Sequence, residues 1–368
     1  MVSGTNERVH RLAGQAALSD TRDVQYRVRV LKNGAAASEL LWAEDNAPVV
    51  MWDKAGNIKA SMSGSFYKNA DVDLLTDELQ PVLILNGTEY ALGIFRTATV
   101  TTGGSEYSPT VRVEAYDRCW RLSCRRTESV LHYAAGTAYI SVIEGLLTEC
   151  GISLRLVASS SATLQTDRED WEIGTDYLTI VNQLLAEINY APLWFDADGT
   201  AHVEPYRSAD AKRISHVYGD MGAPEVLNPA LSESKMETDI FSKPNVFICV
   251  CSNPEIGEPM TAVAVNENAS SSTSVFRRGM RIARRCIVRN IASAEELQAY
   301  ANKLMQESMF EAHTLTFETF AEGGHGIGDI ISINNRDLGG VWEETAWSIT
   351  LAAGEPMKHT AKRAVSTV

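Results

Sequence analysis

Hydrophobic and polar positions alternate along the first third of the chain, as they do in antiparallel strands. Residues 24–30 and 111–117 place an apolar side chain at every second position, which is the period of a strand with one buried face. The pairs Asn33-Gly34 and Asn86-Gly87 follow such runs, and Asn-Gly supplies the positive backbone angles of a tight hairpin turn. The pattern predicts an N-terminal β domain over residues 22–128, built as a barrel or a sandwich.

A helical period replaces this alternation in the middle of the chain, and it occurs twice. Residues 136–151 and 174–189 are two copies of one motif, with identical Gly, Thr, Tyr, Leu, Leu and Glu positions. Each threonine is predicted to cap a helix, over about 137–150 and about 176–188, whose apolar residues recur at helical spacing. Each copy closes on a residue that tolerates the left-handed conformation, Gly151 or Asn189. The duplication predicts an α+β middle over residues 129–210.

The rest of the chain is β again, with one helix. Residues 211–245 are weakly patterned and contain three prolines, so we predict an extended connector. Residues 246–368 carry strand-like runs and one helix with Ser293 as its N-cap, which predicts a C-terminal β domain. Residues 1–21 mix small and charged residues and are predicted to form a flexible or partner-ordered arm, not a signal peptide. The predicted fold class is α+β, mainly β, with two β domains flanking the duplicated middle.

Composition narrows the class of protein. A chain of 368 residues is expected to form two to four domains, and 45% hydrophobic with 22% charged residues is typical of a globular protein. No apolar run approaches the roughly 18 residues of a membrane span, so no stable membrane insertion is expected. The cysteine spacings fit neither zinc ribbons nor redox motifs, which predicts buried reduced thiols and synthesis in a reducing compartment. The six cysteines are Cys119, Cys124, Cys150, Cys249, Cys251 and Cys286.

The net charge is −14, whereas most proteins that bind nucleic acid are positively charged. The charged residues are also unevenly distributed along the chain. Residues 167–206 contain nine acidic residues and one basic residue, and residues 276–290 contain six arginines and no acid. Both stretches fit ordinary solvated surface. Alternatively, the acidic excess keeps DNA from adhering, and the arginines form a docking strip for an acidic neighbour.

Among the motifs of this sequence, the glycine-rich stretch Gly323–Asp329 is the most similar to a phosphate-binding loop. It enters a strand rather than a helix and lacks the Lys-Ser/Thr of a nucleotide loop, so a tight turn is predicted, with His325 exposed on it. The histidines are scattered, and none pairs with another at metal-ligand spacing. They are His10, His132, His202, His216, His313, His325 and His359.

Other candidate chemistry is equally weak. Asp196-Ala197-Asp198-Gly199 begins like a calcium loop, but the ligand pattern does not continue, so a hairpin turn is predicted. Glu149 and Glu187 match by position in the two copies, yet carboxylate catalysis requires a pair facing each other across a cleft. Trp42 and Trp52 lie in a less regular stretch and are candidate contact residues. The sequence therefore predicts no catalytic, cofactor-binding or metal-binding residue, and no enzyme.

Several motifs, taken in order, resemble phage tail hub proteins, the baseplate hub or tail-tip proteins of tailed phages and related contractile injection systems. No single motif is specific, but their order along residues 24–360 is. They are Tyr90-Ala91-Leu92-Gly93-Ile94-Phe95, Ala115-Tyr116-Asp117-Arg118, the two Gly-Thr-x-Tyr helices, residues 188–199, Arg278-Gly279 after a Ser/Thr-rich loop, and Gly326-Ile327-Gly328-Asp329-Ile330-Ile331.

The resemblance implies a structural virion protein at the tail tip, assembled in the host cytoplasm. Proteins of this family are expected to be homotrimers with two tail-tube-like β-barrels per chain, which form a pseudo-six-fold ring matching the hexameric tube. The implied partners are the tail tube protein, distal tail or baseplate proteins, the tip spike or fibre, and genomic DNA in transit. Two rival hypotheses stay open, a tail-associated cell-wall hydrolase and a receptor- or glycan-binding tip module.

Overall fold

The structure, a computed structural model, is mainly β. With 43% of residues in strands and 17% in helices, the predicted α+β, mainly β class is confirmed. Among the described helices, none is both long enough and apolar enough to cross a membrane. The predicted arm, residues 1–21, lies outside the described residues. These are 22–43, 46–105, 108–169, 171–219, 228–229, 234–239, 243–251, 258–310, 313–334 and 338–363.

Three β-sheets organise these residues. In chain order the strands are β1 (Val24–Lys32), β2 (Ala35–Glu39), β3 (Val49–Asp53), β4 (Ala60–Tyr67), β5 (Glu78–Leu85), β6 (Thr88–Ala91), β7 (Phe95–Ser105), β8 (Ser108–Tyr116), β9 (Arg155–Val157), β10 (Trp194–Phe195), β11 (Ala201–Val203), β12 (Ile214–Gly219), β13 (Asn228–Pro229), β14 (Lys235–Thr238), β15 (Val246–Cys251), β16 (Met260–Val265), β17 (Ala283–Val288), β18 (His313–Thr319), β19 (Ile330–Asn334), β20 (Gly340–Thr350) and β21 (Met357–Arg363). The helices are α1 (Cys119–Cys124), α2 (Tyr139–Glu149), α3 (Tyr177–Glu187), α4 (Val275–Arg278) and α5 (Ala294–Phe310), with a short 3₁₀ turn at Ala209–Ala211.

The largest sheet has 15 strands and includes strands from both ends of the described chain. Its main path is β13-β12-β19-β20-β3-β4-β8-β7-β5-β1-β2, with β6, β14, β18 and β21 attached. The N-terminal and C-terminal strands meet where β3 pairs antiparallel with β20 and Trp52 lies opposite Trp347. The two indole rings stack with 5.8 Å between centroids. Such a pair adds about 0.5–1.5 kcal/mol beyond the area it buries.

The alternating patterns of the outer strands account for their burial. In β1, the fully buried Val28 and Val30 enter a core that also contains Ile349 from β20, so one core draws on both ends of the chain. The predicted hairpin turns are confirmed, because Asn33 and Asn86, each followed by glycine, have φ values of 52° and 49°. Local turn chemistry therefore sets the register of the adjoining strands.

Some strands pair with strands from a different predicted segment of the chain. The division of the chain into five segments stays a prediction. Within the predicted connector, residues 211–245, β12 pairs in parallel with β19, and Tyr218 is fully buried there. Within the predicted C-terminal β domain, residues 246–368, strands β15–β17 form a sheet of their own. Helix α1 was not predicted, because its six residues are too few to show a helical period.

The two copied motifs form α2 and α3, which share one core with the small sheet β10-β11-β9. Gly151 and Asn189 follow the helices with φ values of 71° and 55°, which confirms the predicted left-handed ends. Both helices bury the stripe that the spacing predicted, including Ile143 and Leu184, each fully buried. The duplication is thus a pair of helices that pack on a common core.

The predicted threonine caps are wrong. Helix α2 has Ala138 at its N-cap, with no side-chain hydrogen bond. Helix α3 is capped by Asp176, whose carboxylate accepts a hydrogen bond from the Thr179 amide at 2.8 Å. The hydroxyls of Thr137 and Thr175 instead donate to carbonyl oxygens three residues earlier, at 2.7 Å each. The shared threonine therefore closes the turn that leads into each helix.

The third sheet, β16-β15-β17, packs one face against α5. The Ser293 hydroxyl accepts a hydrogen bond from the Glu296 amide at 3.2 Å, which confirms the predicted start of this helix. The other face of the sheet is open, and Val263 and Ile287 on it are 47% and 64% exposed. Exposed apolar side chains on a sheet face are typical of a surface that meets a partner.

The cysteines are free thiols, and Cys119, Cys150, Cys249 and Cys251 are buried as predicted. Burial raises the pKa of Cys150 to about 11 and that of Cys249 to about 12, so little reactive thiolate forms near neutral pH. The prediction of burial is wrong for Cys124, which is exposed, and Cys286 is half-buried.

We expect a native-state thiol titration at pH 8 with Ellman's reagent to show one fast thiol, Cys124, and to show all six only after denaturation. The variant Cys124→Ser should lose the fast phase and keep the slow ones, while Cys150→Ser should keep the fast phase. Rapid reaction of three or more thiols in the folded protein would contradict the burial described above.

Candidate functional site

A cluster of buried polar side chains lies inside the large sheet, between the Gly323–Asp329 loop and strands β20 and β21. Its members come from distant parts of the chain: His216 and Tyr218 from β12, Thr319 from β18, Glu322, His325 and Asp329 from the segment between β18 and β19, Glu344 from β20, and His359 from β21. The side chain of Glu344 is 1% exposed. A carboxylate this far from water requires charged or hydrogen-bonding partners.

Glu344 lies between two imidazole rings. Its Oε2 atom is 2.8 Å from His325 Nδ1, and its Oε1 atom is 2.5 Å from His359 Nδ1. Burial alone would raise the pKa of Glu344, but the two histidines outweigh it and hold this pKa well below its usual range. Burial lowers the pKa of His359. The β20–β21 register shifts directly after Glu344, and such irregularities re-aim neighbouring side chains.

His216 forms the outer layer of the cluster. Its ring stacks on His325, with 4.0 Å between centroids and 3° between planes. Its Nδ1 atom is 3.4 Å from Glu322 Oε1, and its Nε2 atom is 3.6 Å from Asp329 Oδ2. Burial would lower the pKa of His216, but the carboxylates of Asp329 and Glu322 outweigh it and raise this pKa to about 10. His216 is therefore a cation at neutral pH.

The glycine-rich stretch is a tight turn, as predicted. Gly324 and Gly328 have φ values of 86° and 68°, and Asp329 Oδ2 accepts a hydrogen bond from the Gly326 amide at 2.7 Å. The predicted exposure of His325 is wrong, because only 8% of this residue is exposed. The turn folds inward, so the ring lies between His216 and Glu344. Glycine content indicated the turn, but no local feature of the sequence indicated its direction.

The arrangement can hold a proton or a small ion, but it does not present a catalytic group to a polymeric substrate. Two sets of three side chains lie close enough to share an ion, His216 with His325 and Asp329, and His325 with Glu344 and His359. The prediction of no metal site rested on spacing along the chain. The fold collects these ligands from three strands and two loop positions, which spacing cannot detect.

The two copied motifs use their shared tyrosine and glutamate reciprocally. Tyr139 of the first copy donates a hydrogen bond to Glu187 of the second at 2.8 Å, and Tyr177 of the second donates to Glu149 of the first at 2.9 Å. The identical positions therefore mark crossed contacts between α2 and α3. Each carboxylate is engaged by a tyrosine, an arrangement that serves packing better than acid–base catalysis.

The copies differ in burial. Glu187 also accepts a hydrogen bond from Arg168 Nη1 at 2.7 Å, and the two side chains are only 10% and 4% exposed. The Arg168 guanidinium lies over the Trp171 ring, 4.5 Å from its centroid. These three residues and Arg289 line a cleft of about 380 Å³ between α3 and the segment after β17. Arg168, the one basic residue of the acidic stretch, is thus an internal partner and not part of that surface.

The remaining sequence candidates have structural places. Asp196 Oδ1 accepts hydrogen bonds from the Asp198 and Thr200 amides at 3.1 and 2.8 Å, which confirms the predicted hairpin turn. Trp52 is 3% exposed and donates through Nε1 to the Leu92 carbonyl at 2.9 Å, so its proposed contact role is wrong. Trp42 is half-buried and packs against the same core.

The arginine-rich stretch 276–290 lies on the surface of α4 and β17. Arg277, Arg281, Arg284, Arg285 and Arg289 are exposed. Phe276, Met280 and Ile287 are 67%, 56% and 64% exposed among them. The acidic stretch exposes Asp167, Glu169, Glu172 and Asp198, and Ile173, which follows Glu172 in the chain, is 64% exposed. Each surface combines one sign of charge with exposed apolar side chains.

Comparison with known proteins places this fold. No protein-family model and no curated protein matches the chain. Its fold resembles a tail protein from Neisseria meningitidis MC58, at a TM-score of 0.67 and 13% identity, covering 92% of this chain and 97% of that one. It also resembles the 43 kDa tail protein of prophage MuSo2 from Shewanella oneidensis (0.62, 9%, 93% and 98%). A third is prophage tail protein gp18 from Listeria monocytogenes EGD-e (0.57, 12%, 92% and 95%). The resemblance to phage tail proteins is confirmed at the level of the fold.

The duplication provides a matched test of burial. We expect Glu187→Gln to lower the free energy of unfolding by about 3–5 kcal/mol, because it removes the buried carboxylate that pairs with Arg168. Glu149→Gln, at the equivalent exposed position, should lower it by less than about 1.5 kcal/mol. Urea denaturation followed by tryptophan fluorescence measures both values. Equal losses in the two variants would contradict the distinction between the copies.

Proposed function

We propose that this chain is a structural protein of a phage tail, a homotrimeric hub that joins the tail tube to the tip spike or fibre and lines the DNA channel. The observation that carries the proposal is the shared fold with three tail proteins, which extends over nearly the whole length of each chain. A match of this extent includes both β regions and the duplicated middle. The virion tail tip is the proposed location, with assembly in the host cytoplasm.

The strand arrangement supports two tube-like units per chain. The N-terminal strands β1–β8 and the C-terminal strands β18–β21 share one sheet through the β3–β20 pair. We propose that each group forms a barrel-like unit, so that three chains supply six units to match a hexameric tube. A direct β3–β20 link would hold the two units of a chain at a fixed spacing, which a ring of alternating units requires.

The charged surfaces support contact between chains. In a cyclic trimer, one surface of each chain meets a different surface of the next chain. The exposed arginines and apolar side chains of α4 and β17 complement the acidic surface around Glu169, Glu172 and Ile173 in both charge and hydrophobicity. We propose that these two surfaces meet across the trimer contact.

The overall charge supports a conduit. DNA passing through a channel must not adhere, and a net charge of −14 repels phosphates. DNA is therefore proposed to be present only in transit. The other proposed partners are the tail tube protein, distal tail or baseplate proteins and the spike or fibre. The rival hypotheses gain less support, since Trp52 lies in the core and the histidine cluster is enclosed.

We expect light scattering to detect a trimer, alone or with the tail tube protein, and electron microscopy of the complex to show a pseudo-six-fold ring. Symmetry mismatch between a trimer and a hexameric tube is removed only if each chain provides two similar units. Protein that stays monomeric with the tube protein present would contradict the hub proposal, and clearing of peptidoglycan in a zymogram would favour the hydrolase.

The proposed contact can be tested by charge reversal. We expect Arg284→Glu with Arg285→Glu to weaken trimer assembly at least tenfold, since like charges then face each other across the contact. Adding Glu169→Arg and Glu172→Arg should restore assembly in part. The control is Lys358→Glu, which reverses the charge of an exposed side chain on β21, and this variant should assemble normally. A trimer insensitive to the reversal would place the contact elsewhere without affecting the hub proposal.

A further inference from the structure

The contacts around Glu344 require a proton or a cation between the carboxylate and each imidazole. Each of its oxygens faces the Nδ1 atom of a different histidine, at 2.8 Å for His325 and 2.5 Å for His359. A carboxylate is only an acceptor, and an imidazole nitrogen without a proton is also an acceptor. Contacts this short therefore require a positively charged or protonated bridge between each nitrogen and its oxygen.

The hydroxyl of Thr319 determines which nitrogen of His359 carries a proton. This hydroxyl donates its single hydrogen to the Phe320 carbonyl at 2.9 Å, and it lies 2.8 Å from His359 Nε2. With its hydrogen directed at that carbonyl, the hydroxyl accepts from His359, and Nε2 then carries a proton. In a neutral ring the proton is then on Nε2, and Nδ1 directs a lone pair at Glu344.

The hydroxyl of Tyr218 has the same effect on His325. It donates a hydrogen bond to the Glu322 carboxylate, and it lies 3.1 Å from His325 Nε2. With its hydrogen directed at Glu322, it accepts from that nitrogen, which places the proton of a neutral His325 on Nε2 as well. Both rings then direct Nδ1 lone pairs at the two oxygens of one buried carboxylate.

This is the donor arrangement of a metal site. Two protons on the Nδ1 atoms would complete these contacts as hydrogen bonds. One divalent cation carries the same charge and replaces them only if the carboxylate withdraws, because nitrogen and oxygen ligands about 2.0–2.2 Å from one zinc ion lie about 3 Å or more from each other. A histidine that ligates a metal through one nitrogen usually donates from the other to an oxygen, which fixes its tautomer and orientation. Thr319 and Tyr218 already occupy those outer positions.

The other set of three side chains fits a metal less well. His216 and His325 are stacked, with ring planes inclined by only 3° and centroids 4.0 Å apart. A ligating imidazole directs its lone pair in the plane of the ring, so two stacked rings cannot both aim at one ion. Asp329, the third member, is already engaged by the Gly326 amide and His216.

We propose that His325, His359 and Glu344 bind a divalent transition-metal ion of the zinc class. The ligands are the two Nδ1 atoms and the carboxylate oxygens, a set of two histidines and one glutamate that zinc accepts. When both rings hold Nδ1 protons, binding releases two protons to solvent, and the net charge of the cluster is unchanged. The ion links β20, β21 and the Gly323–Asp329 loop, and so stabilises the large sheet from inside.

The experiment uses the full chain, stripped with a chelator and then mixed with zinc chloride. After desalting, elemental analysis is expected to find one zinc per chain. Thermal denaturation with zinc in hundredfold excess over Kd should show a Tm about 3–5 °C above that of stripped protein. Calorimetry in two buffers of different ionisation enthalpy should detect a release of up to two protons per zinc.

Three variants locate the ion. His359→Gln and Glu344→Gln should each lose bound zinc and the rise in Tm. His202→Gln, which alters a histidine paired with Asp196 on a hairpin, should keep both. If a ligand variant fails to fold, titration of the wild-type chain with cobalt(II) replaces it, and the visible spectrum should show low-symmetry nitrogen and oxygen coordination. Cobalt(II) bands of an aquo ion only, no retained zinc, or equal retention in all variants would overturn the proposal and leave protons as the bridges.

Discussion

The pairing of β3 with β20 is the contact on which the rest of the fold depends. It joins strands from opposite ends of the chain, and the stacked Trp52 and Trp347 lie across the join. The entropic cost of closing a loop rises only slowly with its length, so a loop this long is tolerated in the folded state. Contacts between residues distant in sequence nevertheless lower the folding rate. Because both ends of the middle region are fixed to one sheet, α2, α3 and the third sheet are insertions whose positions that sheet sets.

Buried polar groups then connect the segments to one another. Asp117, at the end of β8, accepts hydrogen bonds from the Lys59 and Ala60 amides and from the Cys119 amide at the start of α1. Glu187 connects the two copied helices, and Glu344 connects β20 to a loop and to β21. An unpaired buried charge is far more destabilising than a lost surface pair, so each of these groups penalises any packing that separates its partners. They specify one arrangement more than they add net stability.

The sequence predicted what is determined locally. The Asn-Gly turns, the two helices with their left-handed ends, and the alternating outer strands all depend on residues within a few positions of each other. It missed what depends on distant partners. The inward direction of His325 depends on contacts with β12 and β20. The sequence pattern did not indicate β12, which is defined by its pairing with β19. The threonine caps were wrong because both hydroxyls donate to carbonyl oxygens three residues earlier, and in the second copy the neighbouring Asp176 is the acceptor at the start of the helix.

The low identity to the three tail proteins that share this fold follows from the same division. Three structures share this fold at 9–13% identity, so very different side chains are compatible with it. Cores accept extensive hydrophobic substitution when volume and pattern are kept. A ring contact between chains requires complementary surfaces, and both sides can change together because one gene encodes them. In the proposed hub, selection would act on spacing and rigidity, which the β3–β20 join and the enclosed carboxylates maintain without fixing the identity of surface residues.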